Sequence, residues 1–227
     1  MQTVFFDIDT QYDFMDPKGK LYAPGAEEIV PNLMEIFALA ERQRITTISS
    51  VDAHTPDDPE FKQFNAHCVA GSAGQKRVLA DRPHLPLRVI HPKATAGVIF
   101  EPGLHYLVEK TSLDPFSNPW LDQLLKGGKL KNSQAVVFGV ATEHCVNNAM
   151  QRLLGAKVRT FIVTDAIRAI NQSVGEKMLS EWNGKGATPI TTKELLGQIT
   201  WLGHMPQPNQ VISFAPRPKY PGKAPRH

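Results

Sequence analysis

The sequence predicts an α/β fold: a single domain over residues 1–202, with three α/β/α layers around a mostly parallel central sheet. Three observations predict it. Short apolar runs alternate with stretches of helical period along the chain. The runs are hydrophobic almost without interruption, the pattern of strands buried on both faces. Several of them end in Asp, His, Lys or Cys, at the strand exits where open parallel sheets bind ligands.

The elements follow in order. Thr3–Ile8 is a strand. Ala26–Gln43 is a helix, because Ile29, Leu33, Ile36, Phe37 and Leu39-Ala40 recur near a 3.6-residue period and Pro31 is tolerated near its start. Ile45–Val51 and His105–Glu109 are strands, and Trp120–Lys126 is a helix stopped by Gly127-Gly128. Gln134–Val140 is a strand, Thr142–Leu154 a helix with Thr142 as N-cap, and Val158–Thr164 a strand. Glu176–Asn183 and Thr192–Trp201 are helices around a short strand, Thr188–Ile190. Two regions break the alternation. Residues 52–98 are polar, and loops of such length are functional or disordered. Residues 203–227 form a Pro-rich basic C-terminal arm, which composition alone reads as a disordered tail. Within it "QVISFAPRPKY" is expected to pack in extended form on another surface, that of a neighbouring subunit in a homo-oligomer.

Composition bounds the function. A chain of 227 residues can bury one sizeable core. A net charge of +3 gives no reason to expect nucleic acid as a partner. No apolar run reaches about 18 residues, so no membrane span is expected. The N-terminus lacks a basic region and a cleavage site and reads as a strand, not a signal peptide. Two cysteines, Cys68 and Cys145, make no disulfide framework, which points to a reducing compartment and a cytoplasmic protein.

Four strand exits carry chemistry. In "VFGVATEHCV" the strand stops at Gly139 and Cys145 falls in the first turn of the following helix. A helix start lowers a thiol pKa, and its unpaired N–H groups can hold an oxyanion. A free cysteine there is equally a small buried apolar side chain. "FFDIDTQYDF" presents Asp9, Gln11 and Asp13 at its exit; Asp7 and Asp9 share a face if the strand continues, and Asp13 and Asp16 read as caps or turn formers. A carboxylate beside the thiol could take its proton. Asp52 and His54, two apart, project to one face, and His67 follows in "NAHCVAG". One carboxylate and two imidazoles match a divalent transition-metal site, whereas Asp57 and Asp58 read as loop acids. Lys110 ends the strand "HYLVEK", where it would stabilise a thiolate. His144 points away from Cys145 along the helix.

These residues, in this order, resemble the isochorismatase-like cysteine hydrolases, and within them the nicotinamidase/pyrazinamidase branch. The motifs are Asp9-Thr10-Gln11-Tyr12-Asp13-Phe14, Lys110 in "VEKTSLDPFS", and Gly139-Val140-Ala141-Thr142-Glu143-His144-Cys145-Val146. The resemblance implies Asp9, Lys110 and Cys145 as the catalytic set. It implies a cis Val140–Ala141 peptide and an oxyanion hole from the N–H groups of Ala141 and Cys145. It implies a metal on Asp52, His54 and His67, Zn2+ first with Fe2+ or Mn2+ as alternatives, and Phe14 and Phe64 lining the substrate. The implied activity is hydrolysis of a small aromatic amide, nicotinamide, to its acid and ammonia. The rivals are a relative acting on another small amide or ureide with a vestigial metal site, and a non-catalytic binding protein. Some members of the branch carry a further histidine where this chain has Asp57 and Asp58.

Overall fold

The structure is a computed structural model and describes residues 1–93 and 98–198. The arm at 203–227 and the expected continuation of the last helix to Trp201 lie outside the described residues. Seven strands form one sheet: β1 (Gln2–Ile8), β2 (Thr46–Asp52), β3 (Leu87–Ile90), β4 (His105–Lys110), β5 (Ser133–Val140), β6 (Arg159–Arg168) and β7 (Thr188–Ile190). Their order is β3-β4-β2-β1-β5-β6-β7, and every pairing is parallel. The sheet predicted to be mostly parallel is wholly so among the described residues.

Helices cover both faces, as the unbroken apolar runs required. They are α1 (Tyr12–Met15), α2 (Val30–Gln43), α3 (Pro119–Lys126), α4 (Asn147–Gly155), α5 (Gln172–Gly184) and α6 (Thr192–Gln198). One core layer packs α2 and α6 on the sheet through Phe5, Phe37, Phe138 and Leu195. Its rings meet edge to face, Phe5–Phe138 at 6.0 Å and Phe37–Phe138 at 5.7 Å. The other layer packs α3, α4 and α5 through Phe6, Leu121, Leu153 and Trp182. Every residue of β2 and β5 is buried. No helix among the described residues is long and apolar enough to cross a membrane.

The chain departs from the expected elements in several places, among them the short helix α1 and the start of α5 at Gln172. A 3-10 turn, Ala26–Ile29, precedes α2, and Pro31 sits in the first turn of α2. The helix expected from Thr142 begins as a π-turn, Thr142–Val146, before α4. β6 runs past Thr164 to Arg168. Inside the expected loop 52–98 lies β3, an edge strand whose Leu87 and Val89 are exposed, so it lacks the buried-strand signature. The rest of that loop is ordered by backbone pairing. Gln11 bridges Arg77 antiparallel and His54 bridges Val69 parallel. Tyr12 N–H donates to the Lys76 carbonyl at 2.8 Å and Val78 N–H to the Thr10 carbonyl at 2.9 Å.

Strand order reverses between β1 and β5. A crevice forms outside the carboxyl ends at such a switch point. The ends of β1, β2, β4 and β5 therefore deliver Asp9, Asp52, Lys110 and the Cys145 turn to one place.

Candidate active site

β1 ends in a sharp turn. Asp9 adopts a left-handed backbone, φ 49°, and its N–H donates to the Ser50 carbonyl at 3.2 Å. The turn sets the two aspartates on opposite faces. Ser49 and Ser50, adjacent in β2, must point to opposite sides of the sheet. Ser49 Oγ donates to Asp7 Oδ2 at 2.7 Å, whereas Ser50 Oγ donates to Asp9 Oδ1 at 2.6 Å. Asp7 is paired with Arg77 at 2.9 Å, so the expected shared face is corrected: the strand does not continue.

Lys110 is in register with Asp52 across β2 and β4. Its Nζ lies 2.8 Å from Asp9 Oδ2, donates to Asp52 Oδ1, and stands 3.7 Å from Cys145 Sγ. The structure thus brings Asp9, Lys110 and Cys145 together, all buried. Gly139 permits the approach. With φ 117°, a Cβ there would lie 2.1 Å from the Ile8 carbonyl oxygen, so only glycine lets β5 press this closely on the end of β1. The next peptide, Val140–Ala141, is cis. Thr142 is not the N-cap: Ala141 takes that place, and the buried Thr142 Oγ1 has no hydrogen-bond partner among the described residues. The Ala141 carbonyl instead accepts the N–H groups of His144 at 3.1 Å and Val146 at 3.2 Å.

Electrostatics run against the lowered thiol pKa expected from a helix start. Burial, reinforced by the Asp9 charge, pushes the Cys145 thiol well above its ordinary value, and Lys110 opposes this only in part. Burial also raises Asp9, against the pull of Lys110. Burial would strip Lys110 of its proton, but Asp52 and Asp9 hold it charged, well above the usual lysine value. Burial thus favours the neutral form of the thiol and makes Asp9 a better base than an exposed carboxylate, while its two carboxylate partners favour the charged form of Lys110.

Beyond Lys110, the ligand atoms of Asp52, His54 and His67 lie within 4.8 Å of one another. Asp52 Oδ2 is 3.7 Å from both His54 Nε2 and His67 Nε2. That is too far for hydrogen bonds but near the roughly 3.4 Å between tetrahedral ligands of one ion. His67 Nδ1 donates to the Asn65 carbonyl at 2.8 Å, which leaves the Nε2 lone pair facing Asp52. His54 Nε2 is buried with no hydrogen-bond partner among the described residues. Burial would raise Asp52, but Lys110, His54 and His67 hold it below the usual carboxylate range. These residues fit a divalent ion.

Three neighbours escaped the sequence reading. Asp58, expected to be a loop acid, places Oδ2 at 3.1 Å from His54 Nδ1, while Asp57 is exposed as expected. Glu60 Oε1 stands 4.0 Å from His67 Nε2, its carboxyl raised by burial and by Asp52. Phe61 packs on His54 at 5.2 Å and His67 at 5.6 Å. The expected Phe14 and Phe64 lie 5.3 Å and 6.4 Å from the His67 ring, and His144 faces Phe64 at 6.3 Å, not Cys145.

The isochorismatase domain pattern matches residues 3–194, nearly the whole described chain. The chain belongs to the isochorismatase family. No curated protein sequence matches it. Solved structures resemble this isochorismatase-family fold at low identity. A pyrazinamidase of Pyrococcus horikoshii in complex with zinc is 20% identical, with a TM-score of 0.66 over 84% of this chain and 99% of that one. An isochorismatase-like hydrolase from Alkaliphilus metalliredigens is 22% identical, with a TM-score of 0.70 over 88% of this chain and 100% of that one. A nicotinamidase from Bacillus subtilis is 20% identical, with a TM-score of 0.68 over 83% and 99%. At these identities the likeness shows the fold.

Proposed function

We propose that this isochorismatase-family protein is a metal-dependent cysteine amidohydrolase that converts a small aromatic carboxamide, nicotinamide first, to its acid and ammonia. The observation that carries the reading is the contact of one lysine with Asp9, Asp52 and Cys145, which joins a nucleophile–base pair to a three-ligand metal site. The fold-level likeness to a zinc-bound pyrazinamidase supports it.

Asp9 accepts the Sγ proton, and the thiolate attacks the carboxamide carbon. The N–H groups of Ala141 and Cys145 receive the oxyanion. Collapse expels the amine, which leaves as ammonia with the proton from Asp9. Water, deprotonated by the same carboxylate, then hydrolyses the thioester and restores the thiol. Lys110 stays charged throughout and offsets the developing negative charge. Asp52, His54 and His67 would hold a divalent ion, Zn2+ or else Fe2+ or Mn2+, which would supply Lewis acidity toward a ring nitrogen. Phe14, Phe64 and Phe61 line that ring.

The test is ammonia release from nicotinamide, an aliphatic amide and a ureide, before and after chelation. The reading expects nicotinamide to be fastest, activity to be lost with the metal, and Zn2+, Fe2+ or Mn2+ to restore it. Turnover of the ureide in the presence of chelator, with nicotinamide inert, would overturn it in favour of a metal-free relative.

A further inference from the structure

Asp13 was expected to be a cap or turn former. It is a buried carboxylate that makes no ion pair among the described residues and is held by two backbone N–H groups, one seven residues on and one in the distant loop that carries His67. Oδ1 accepts from Lys20 N–H at 3.1 Å and Oδ2 from Cys68 N–H at 2.7 Å. Gly74 lies flat on the carboxylate: a Cβ there would come within 2.0 Å of Oδ2. Asp13 N–H in turn donates to the Gly74 carbonyl at 3.1 Å. The loop is thus shaped around this side chain.

Cys68 is the residue after His67, and it sits in the left-handed region at φ 45°. A cysteine adopts that backbone only when its surroundings impose it. The Cys68 carbonyl accepts from His54 N–H at 3.2 Å, and Ala70 N–H donates to the His54 carbonyl at 2.9 Å. One residue, Cys68, therefore binds the Asp13 carboxylate through its N–H and the His54 backbone through its carbonyl, immediately after His67. A charged acceptor on a buried N–H is among the stronger hydrogen bonds.

We infer that Asp13 is a positioning residue for the metal site: through the Cys68 N–H it fixes the turn that aims His67 Nε2 at Asp52 and His54. The inference rests on the metal site of the proposed function. A carboxylate outside the ligand set thus sets metal affinity chiefly through His67, the ligand next to Cys68.

The experiment is Zn2+ affinity, measured by competition with a chromophoric chelator on metal-stripped protein. The proteins are wild type, Asp13→Asn, His67→Ala and the double variant, with circular dichroism of each stripped protein as the fold check. Asp13→Asn keeps the shape but turns an amide toward one of the two N–H groups. It is expected to weaken Zn2+ binding by about 10–100-fold, the usual effect of losing an outer partner of a ligand. In the His67→Ala background the same change is expected to cost less than about twofold, because the residue it acts through is gone. Wild-type affinity in Asp13→Asn, or an equal loss in both backgrounds, would overturn the inference. If Asp13→Asn does not fold, Gly74→Ala, which displaces the carboxylate from the loop side, takes its place with the same expectations. A wild-type protein without Zn2+ affinity would overturn the metal reading itself, before any variant is compared, and the inference with it.

Discussion

Ser50 shows how much of the chemistry rests on single neutral side chains. Its hydroxyl donates to Asp9 Oδ1 at 2.6 Å inside the core. A hydrogen bond to a buried charged group contributes about 1.5–3 kcal/mol. Ser50→Ala should therefore lower kcat/KM for the amide by about 10–100-fold. It should also move the acid limb of the pH–rate profile. The donor favours the ionised carboxylate, so its loss raises the Asp9 pKa, and the limb shifts to higher pH. A pH–rate profile of the variant checks both; an unshifted limb would remove Ser50 from the account. Asp9, Asp52 and Lys110 were legible in the sequence because each stands at the end of an apolar run, and Cys145 because it opens the helix that follows one; strand exits are where a parallel sheet collects its chemistry. Asp58, Glu60 and Phe61 were not. They reach the histidines from a 3-10 turn, Pro59–Lys62, and its N-cap Asp58, a stretch whose sequence carries no period to place it. The thiol was misjudged for a related reason: a helix start is visible in a sequence, but the burial that outweighs it is not.

At the scale of elements, the contact of β1 with β5 sets the position of Cys145 relative to Asp9. Ile8 and Gly139 are register partners, and Gly139 has no room for a Cβ. Gly139→Ala should cost about 1–3 kcal/mol from its left-handed backbone alone, and further strain from the clash with Ile8. Because the strands must part to accept it, Asp9 and Cys145 separate as well. Activity is expected to fall further than the unfolded fraction explains. Urea unfolding beside a kcat measurement separates the two effects, and activity that merely tracked the folded fraction would contradict this. Six of the seven strands were legible as apolar runs. β3 was missed because an edge strand with one solvent-facing side needs no such run. The order in the long loop comes from pairing with residues 10–13, more than sixty positions away for Asp13 and Gly74 and for Tyr12 and Lys76, a contact no local pattern announces.

Across the whole molecule, a second buried polar cluster ties the loop to the sheet without touching the site. Ser49 gives its proton to Asp7, so it accepts from His105 Nε2–H at 2.9 Å, and Asp7 also binds Arg77. Burial first, and the Arg77 charge second, push His105 down from 6.5 to about 3. The unfolded chain therefore takes up this proton first as pH falls. Stability drops from about pH 6.5 and levels off near 3, by at most about 1.4 kcal/mol per pH unit. His105→Gln should flatten that part of the stability–pH curve relative to wild type; parallel curves would contradict it. For the protein as an enzyme, the claim on which everything else hangs is that Cys145 is the nucleophile. The direct measurement is the rate of ammonia release from nicotinamide by Cys145→Ala, beside wild type and Cys68→Ala. The account predicts that Cys145→Ala is folded yet slower by about 10⁴-fold or more, while Cys68→Ala keeps most of its activity. Substantial ammonia release by folded Cys145→Ala would contradict it.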